Sequence, residues 1–360
     1  MLNLDTEHTL YLIWKASYFI SNRNISARTV DFLVRMATTH EDPNQEKGNV
    51  LQHAANSVRG AASSKIIELY YNHTYKDIIF DTLNKVAKDK QFSVRVSILI
   101  HVANLMHLDE ERTIALFLDL INEGEPEIFK YSFWSVQYLI EYDFDKLMPY
   151  LTKAVKIPGI EKNIATVLAV AWIKGKDKSY QLLQAVLKKS QEARSAAVEV
   201  AARNLFDEDE QTRIRCGHLY KRFLKETDKE IAHKYSVSFL HLDPVYFAKM
   251  LPLLKKYAIS NIVKQTPHYF YEYLLNSVRL YPKPIIDLLA SWKEYDKPDI
   301  SEGGHYDSEP VKLIIGAYNS LRESESDRKY ARKALKIFDS MLQDERFRSS
   351  ANKVIEEIES

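Results

Sequence analysis

Basic side chains recur at regular intervals through the N-terminal part of this chain: Arg59, Arg95, Lys130, Lys162 and Arg194, separated by 36, 35, 32 and 32 residues. A row of cations along one edge of a molecule can hold phosphates or an acidic partner. The same row can instead pair, each member with a turn carboxylate of the adjoining segment, and so set how the segments stack. A second group is aromatic. Tyr131, Trp134, Tyr138 and Tyr142 stand at i, i+3, i+7 and i+11, the spacing of one helical face, and Tyr269, Phe270, Tyr271 and Tyr273 crowd another segment. Exposed rings of these types make a binding surface for protein or for unpaired bases, whereas buried ones are ordinary packing. Phe129, Phe133, Val136 and Ile140 form a more apolar stripe beside the first set and are the better core face. The candidates for partner contact are therefore Arg59, Arg95, Lys130, Tyr131, Trp134, Tyr138, Lys162 and Arg194.

Residues that would do covalent chemistry do not assemble into a recognisable pattern. A phosphate-cradling G-x-x-x-x-G-K-[ST] is absent, and Gly175-Lys176 has the wrong spacing before it and Asp177 after it. There is no H-E-x-x-H, and His101 and His107 are six apart, off a shared helical face. One cysteine, Cys216, cannot build a thiolate zinc site. Asp207 and Asp209 fall in a polar turn, and no strand-turn-helix context surrounds a serine. His218, His233 and His268 show no partner in the sequence. The chain reads as non-enzymatic, with no cofactor and no metal.

The elements that carry these residues are helices. Asn56-Ser57-Val58-Arg59-Gly60-Ala61-Ala62 and Phe92-Ser93-Val94-Arg95-Val96-Ser97 each open an apolar-periodic run, at about 45–71 and from 92 onward. Ile98, Val102 and Leu105 continue the second on one face. Gly60 inside a helix implies that a neighbour packs close there. Partner helices are expected at about 77–88, 110–122, 143–156 and 177–189, and Asp89, Asp109 and Asp177 in the turns can cap helices or pair with the basic row. Helices at 4–21 and 25–39 form a first, capping hairpin. Beyond Phe206 helices are expected at 212–225, 229–240, 245–258, from Pro267 to about 281, from Pro282 to about 292, and at 309–323, 326–342 and 346–358, with 296–305 the clearest loop. One helical hairpin cannot bury its apolar stripe alone and must stack on a neighbour. The organisation reads as an N-terminal helical cap over 1–44, regular repeats over 45–206, and less regular repeats with a C-terminal cap over 207–360.

Composition agrees with that reading and narrows the function. Of 360 residues, 46% are hydrophobic and 28% charged, which suits a folded chain; 9 glycines and 11 prolines are few, as long helices with short turns require. Fifty basic against 49 acidic residues leave a net charge of +1, so no global field draws the molecule to nucleic acid or to an anionic membrane. A single cysteine rules out a disulfide framework within the chain. The start Leu2-Asn3-Leu4-Asp5 lacks the basic and apolar regions of a signal peptide, and no apolar run approaches a bilayer's width, so a cytoplasmic location is expected.

The x-Val-Arg motif opening the second helix of each pair resembles the HEAT repeat, which implies an all-α, right-handed α-solenoid of HEAT-like helical hairpins. A narrower resemblance covers about 45–360. The Asn56–Ala62 motif, the array after it, and Leu313-Ile314-Ile315-Gly316-Ala317-Tyr318 through Ala334-Leu335-Lys336-Ile337-Phe338-Asp339-Ser340-Met341-Leu342 resemble the helical-repeat tail of large bacterial STAND-type P-loop NTPases of anti-phage defence. In that family the tail is the sensor, so the resemblance implies a protein partner: a phage component, or a partner NTPase or effector, since no NTPase motif stands in these residues. DNA repair glycosylases on HEAT-like repeats offer a rival expectation, a duplex cradled in a concave groove with Trp172 and Asp177 as candidates by residue type. A general protein-protein scaffold is a third.

Overall fold

The computed structural model describes residues 6–42, 48–122, 126–240, 242–293 and 308–359. It is 79% helical, and the described residues contain no strand, so the protein is all-α. The expected loop over 296–305 lies outside the described residues. The chain divides into two compact units, Met1–Lys188 and Lys189–Ser360. The second starts ahead of position 207, because the helix at Gln191–Arg203 packs on the two helices that follow it.

The first unit begins with α1 (Thr6–Ser21) and α2 (Ala27–Thr39), where Ser26 Oγ accepts the Thr29 N–H and caps α2. The helix expected over about 45–71 is broken into α3 (Val50–Asn56), α4 (Val58–Ile67) and a 3-10 turn, Glu68–Tyr71. The physical reason is local capping. Ser57 takes an extended backbone (φ −81°, ψ 140°) and its Oγ accepts the Gly60 N–H at 3.0 Å. Asp42, from the link after α2, accepts the Val58 and Arg59 N–H groups at 2.9 Å each. Three of the orphan donors at the start of α4 are thus satisfied, which makes a new helix start cheaper than continuation. The expected close approach at Gly60 is present, and its source is this break: a Cβ there would lie 2.2 Å from the Ala54 carbonyl oxygen.

α5 (Lys76–Val86) leads to α6 (Phe92–Leu99), which ends at Ile100 and resumes as the 3-10 turn Val102–His107, so the expected single apolar helix is again two pieces. α7 (Glu110–Asn122), the 3-10 turn Pro126–Lys130 and α8 (Phe133–Tyr142) follow, then α9 (Phe144–Ala154), α10 (Glu161–Ile173) and α11 (Ser179–Leu187). α10 ends at Gly175, whose φ of +94° closes the helix. Gly175-Lys176 is therefore a helix stop. Within this unit α2 packs on α4, α4 on α6, the Val102–His107 turn on α8, and α8 on α10, while α5, α7 and α9 make a second succession. This arrangement is compatible with a helical-repeat array.

α1 buries Ile13, Ala16 and Ile20 against α4 and exposes Tyr11, Leu12, Trp14, Tyr18 and Phe19.

The second unit holds α12 (Gln191–Arg203), α13 (Glu210–Arg222), α14 (Lys229–Val237), α15 (Phe247–Ala258), α16 (Asn261–Gln265), α17 (His268–Ser277), α18 (Pro282–Lys293), α19 (Ser308–Leu321), α20 (Arg328–Met341) and α21 (Glu345–Glu359). The short α16 is absent from the sequence expectation. Its Asn261, Gln265 and the following Thr266 donate to the carbonyls of Lys225, Thr227 and Ala232, so tertiary contacts hold a helix too short to stand alone. The centre of this unit is aromatic: Tyr220, Tyr235, Phe239, Tyr257, Phe270 and Tyr273 are buried with ring centroids 4.5–6.0 Å apart along the cluster. Burial pushes all four of these tyrosine hydroxyls above their ordinary pKa.

Candidate interaction surface

The five basic residues do not share one environment. Arg59 Nε lies 3.4 Å from Asp42 and 3.3 Å from Asp89, a carboxylate in the turn before α6. Arg194 Nε lies 3.5 Å from Glu226, in the turn between α13 and α14. Each of these two pairs with a carboxylate in the turn of a following hairpin. Arg95 is buried, its guanidinium 5.7 Å from the Phe92 ring, and so lies off the surface. Lys130 is displaced from the expected helix start: it closes the Pro126–Lys130 turn and pairs at 3.3 Å with Glu127 of that same turn. Lys162 is exposed at the start of α10. Four of the five fall in the first unit and Arg194 in the second.

Other ion pairs carry the repeat period more regularly. Lys76 meets Asp109 at 2.7 Å, Arg112 meets Asp77 at 2.6 Å and Asp81 at 3.1 Å, Lys178 meets Asp145 at 2.7 Å, and Lys234 meets Glu199 at 2.9 Å. Each joins one hairpin to the next. As surface pairs each contributes about 1 kcal/mol or less, so they register the stack more than they hold it.

The two aromatic groups separate. Of the α17 set, Phe270, Tyr271 and Tyr273 are buried. On α8, Trp134 is 69% exposed, Tyr138 66% and Tyr142 46%. Of the expected core stripe Phe129, Val136 and Ile140 are buried and Phe133 is half-buried, and Ser135 and Leu139 are buried with them where α8 packs. Ser135 also donates its hydroxyl to the Leu99 carbonyl, which fixes the rotation of α8 and turns the rings outward. Tyr131 precedes α8 and lies half-buried, edge-on to Phe92 at 5.9 Å, so it braces the surface from beside it. Trp134 packs edge-on against Phe133 at 5.5 Å, which holds the indole in place while leaving it open. Tyr142 belongs to this surface by exposure, although it stands outside the candidate set drawn from the sequence.

Three rigid aromatic side chains on successive turns of one helix, backed by a packed core, form an apolar surface with polar tips that can anchor a partner. Their opposite numbers in chemistry are sparse. Trp172 is buried and stacks on Tyr180 at 4.9 Å, so it does not line an open site with Asp177. Asp209 caps α13 through the Thr212 N–H and Asp207 accepts the Asp209 N–H, the turn roles expected of them. His268 faces Glu309 at 4.0 Å. Among the described residues no group of three or more His, Cys, Asp or Glu could hold a metal ion, and no helix is long and apolar enough to cross a membrane. Compared with protein-family models, curated proteins and solved structures, the chain matches none of them.

Proposed function

We propose that this chain is a non-enzymatic helical-repeat protein that binds a protein partner through the outward face of α8. The observation that carries the reading is the joint exposure of Trp134, Tyr138 and Tyr142 on a helix whose other face is fully packed. Tryptophan and tyrosine are the residue types that dominate binding energy at protein interfaces, because they bring large rigid area at little entropic cost. The basic residues favour a protein over a nucleic acid. Arg59 and Arg194 are engaged by turn carboxylates, Lys130 by Glu127, and Arg95 is buried, which leaves no continuous row for phosphates. The right-handed HEAT-like solenoid and the role of sensing tail in a bacterial antiviral NTPase system belong to this proposal through the sequence resemblance, and a cytoplasmic setting through the single cysteine and the lack of a bilayer-wide apolar run in the sequence. The all-helical architecture is compatible with a helical-repeat solenoid.

The test is a pull-down of the purified chain from phage-infected and uninfected bacterial lysates, repeated with Trp134→Ala and Tyr138→Ala. A phage protein retained by the parent chain and bound at least tenfold more weakly by both variants, with melting temperatures within a degree or two of the parent, supports the reading; such losses, about 1.4 kcal/mol or more, are those of interface anchors. Variants that melt lower and bind normally would make the rings packing residues. Duplex DNA binding at low salt, lost steeply as salt rises, would replace the protein partner with nucleic acid.

A further inference from the structure

We propose that α1 is a self-association surface, on which two copies of this chain pair through antiparallel α1 helices about a two-fold axis. The surface is apolar to an unusual degree for the outside of a helix. Tyr11, Leu12, Trp14, Tyr18 and Phe19 are between 40% and 69% exposed, while Ile13, Ala16 and Ile20 hold the opposite face against the body of the unit. Tyr11, Trp14 and Tyr18 follow one another at intervals of three and four residues, the spacing of a helix-pairing seam.

A second copy is the occupant that these residues fit. An isologous contact demands a surface complementary to itself. With the axis between Trp14 and Lys15, Tyr11 comes opposite Tyr18 of the second copy, and Lys15 comes beside the indole of the second copy's Trp14. That indole already accepts a cation on its own chain, where Lys65 Nζ sits 4.8 Å from its ring. The ends match in charge as well. Exposed Glu7 in the first turn of α1 meets the end of the other helix, where Arg23 is exposed, and antiparallel helices also align their dipoles favourably. Counting about 200 Å² for each aromatic side chain, the exposed part of this face is roughly 500 Å² per copy, so a pair buries about 1,000 Å² in all, the lower limit for a specific interface. The dimer is accordingly weak and concentration-dependent.

The experiment uses the full chain. Sedimentation of the parent protein over a concentration series is expected to pass from the mass of one chain to that of two, and Tyr18→Glu, at the most exposed ring of the face, is expected to stay a single chain with an unchanged melting temperature. A second variant traps the pair covalently. Lys15 lies next to the proposed axis, and the natural Cys216 is buried, so Lys15→Cys is expected to form a disulfide-linked dimer with oxidised glutathione, while an exposed control at Lys156→Cys is not. A parent chain that remains single at every concentration, a dimer that persists in Tyr18→Glu, or equal cross-linking at both cysteine positions would overturn the proposal.

Discussion

At the scale of single residues, Asp42 does more for this fold than any of the five basic side chains drawn from the sequence. Its carboxylate is 1% exposed, accepts two backbone N–H groups at the start of α4, and sits 3.2 Å from His40 and 3.4 Å from Arg59. Arg59 thereby acts as the clasp between this cap and Asp89 of the next turn. Replacing Asp42 with alanine leaves two helix donors unpaired in a largely dry place and strips Arg59 of a partner, at a cost of about 2–3 kcal/mol. Arg59→Ala retains the cap, so it should cost less than Asp42→Ala in a denaturant titration. The reverse order would assign the register of α4 to the arginine. The exposed α8 rings differ from these residues in kind, since a side chain two-thirds open to water contributes little to folding and can be spent on a partner.

At the scale of elements, the second helix of a repeat is repeatedly divided: α4 and α6 each give way to a 3-10 turn, and α3 and α4 are separated at Ser57. Gly60 makes that separation possible. A Cβ at this position meets the Ala54 carbonyl oxygen at 2.2 Å and the capping Ser57 Oγ at 2.5 Å, and the backbone oxygen cannot swing aside as a side-chain end could, so Gly60→Ala is expected to destabilise by about 1–3 kcal/mol, as overpacked sites do, although alanine is the better helix former. Stabilisation by Gly60→Ala in a thermal melt would mean that the α3–α4 break relaxes freely. Helix starts elsewhere rely on carboxylates. Asp109, Asp143 and Asp209 accept the N–H groups of Arg112, Lys146 and Thr212, and those hydrogen bonds hold each carboxyl below its ordinary value of 3.8. A depressed folded-state pKa stabilises fully above the unfolded value and is lost as pH falls through the folded one. Burial lowers the His101 pKa, so the unfolded chain takes up that proton first and the melting temperature should begin to fall below about pH 6.5; the carboxylates add a further fall below about pH 4, and Asp109→Asn together with Asp143→Asn should flatten that lower limb. An acid limb of the same steepness in the double variant would place the titrating groups elsewhere.

At the scale of the whole molecule, a spacing of just over thirty positions recurs in two ways, as a helical-repeat array would have it. The basic residues recur at 32–36 positions in the sequence, and hydrogen bonds joining one hairpin to the next span 31 to 38 positions, among them Arg112 to Asp77 and Asp81, Lys178 to Asp145, Ser195 to Glu230 and Gln265 to Thr227. Apolar periodicity and sparse turn residues were enough to determine an all-α chain and to locate nearly every helix, because a buried stripe at 3.6-residue spacing is written in local order. What local order does not contain is which of two stripes on one helix faces its neighbours. Trp134, Tyr138 and Tyr142 on α8 and Phe270, Tyr271 and Tyr273 on α17 look alike as sequence, yet the first set is open and the second is core. The difference comes from their surroundings: Ser135 bonds the carbonyl of Leu99 and fixes the rotation of α8, whereas Phe239 and Tyr257 pack on the rings of α17. The start of α4, capped by Asp42 from the link after α2, and the short α16 share that origin. Each is set by groups distant along the chain, through a cap, a carbonyl or a packed neighbour that only the tertiary structure brings into contact.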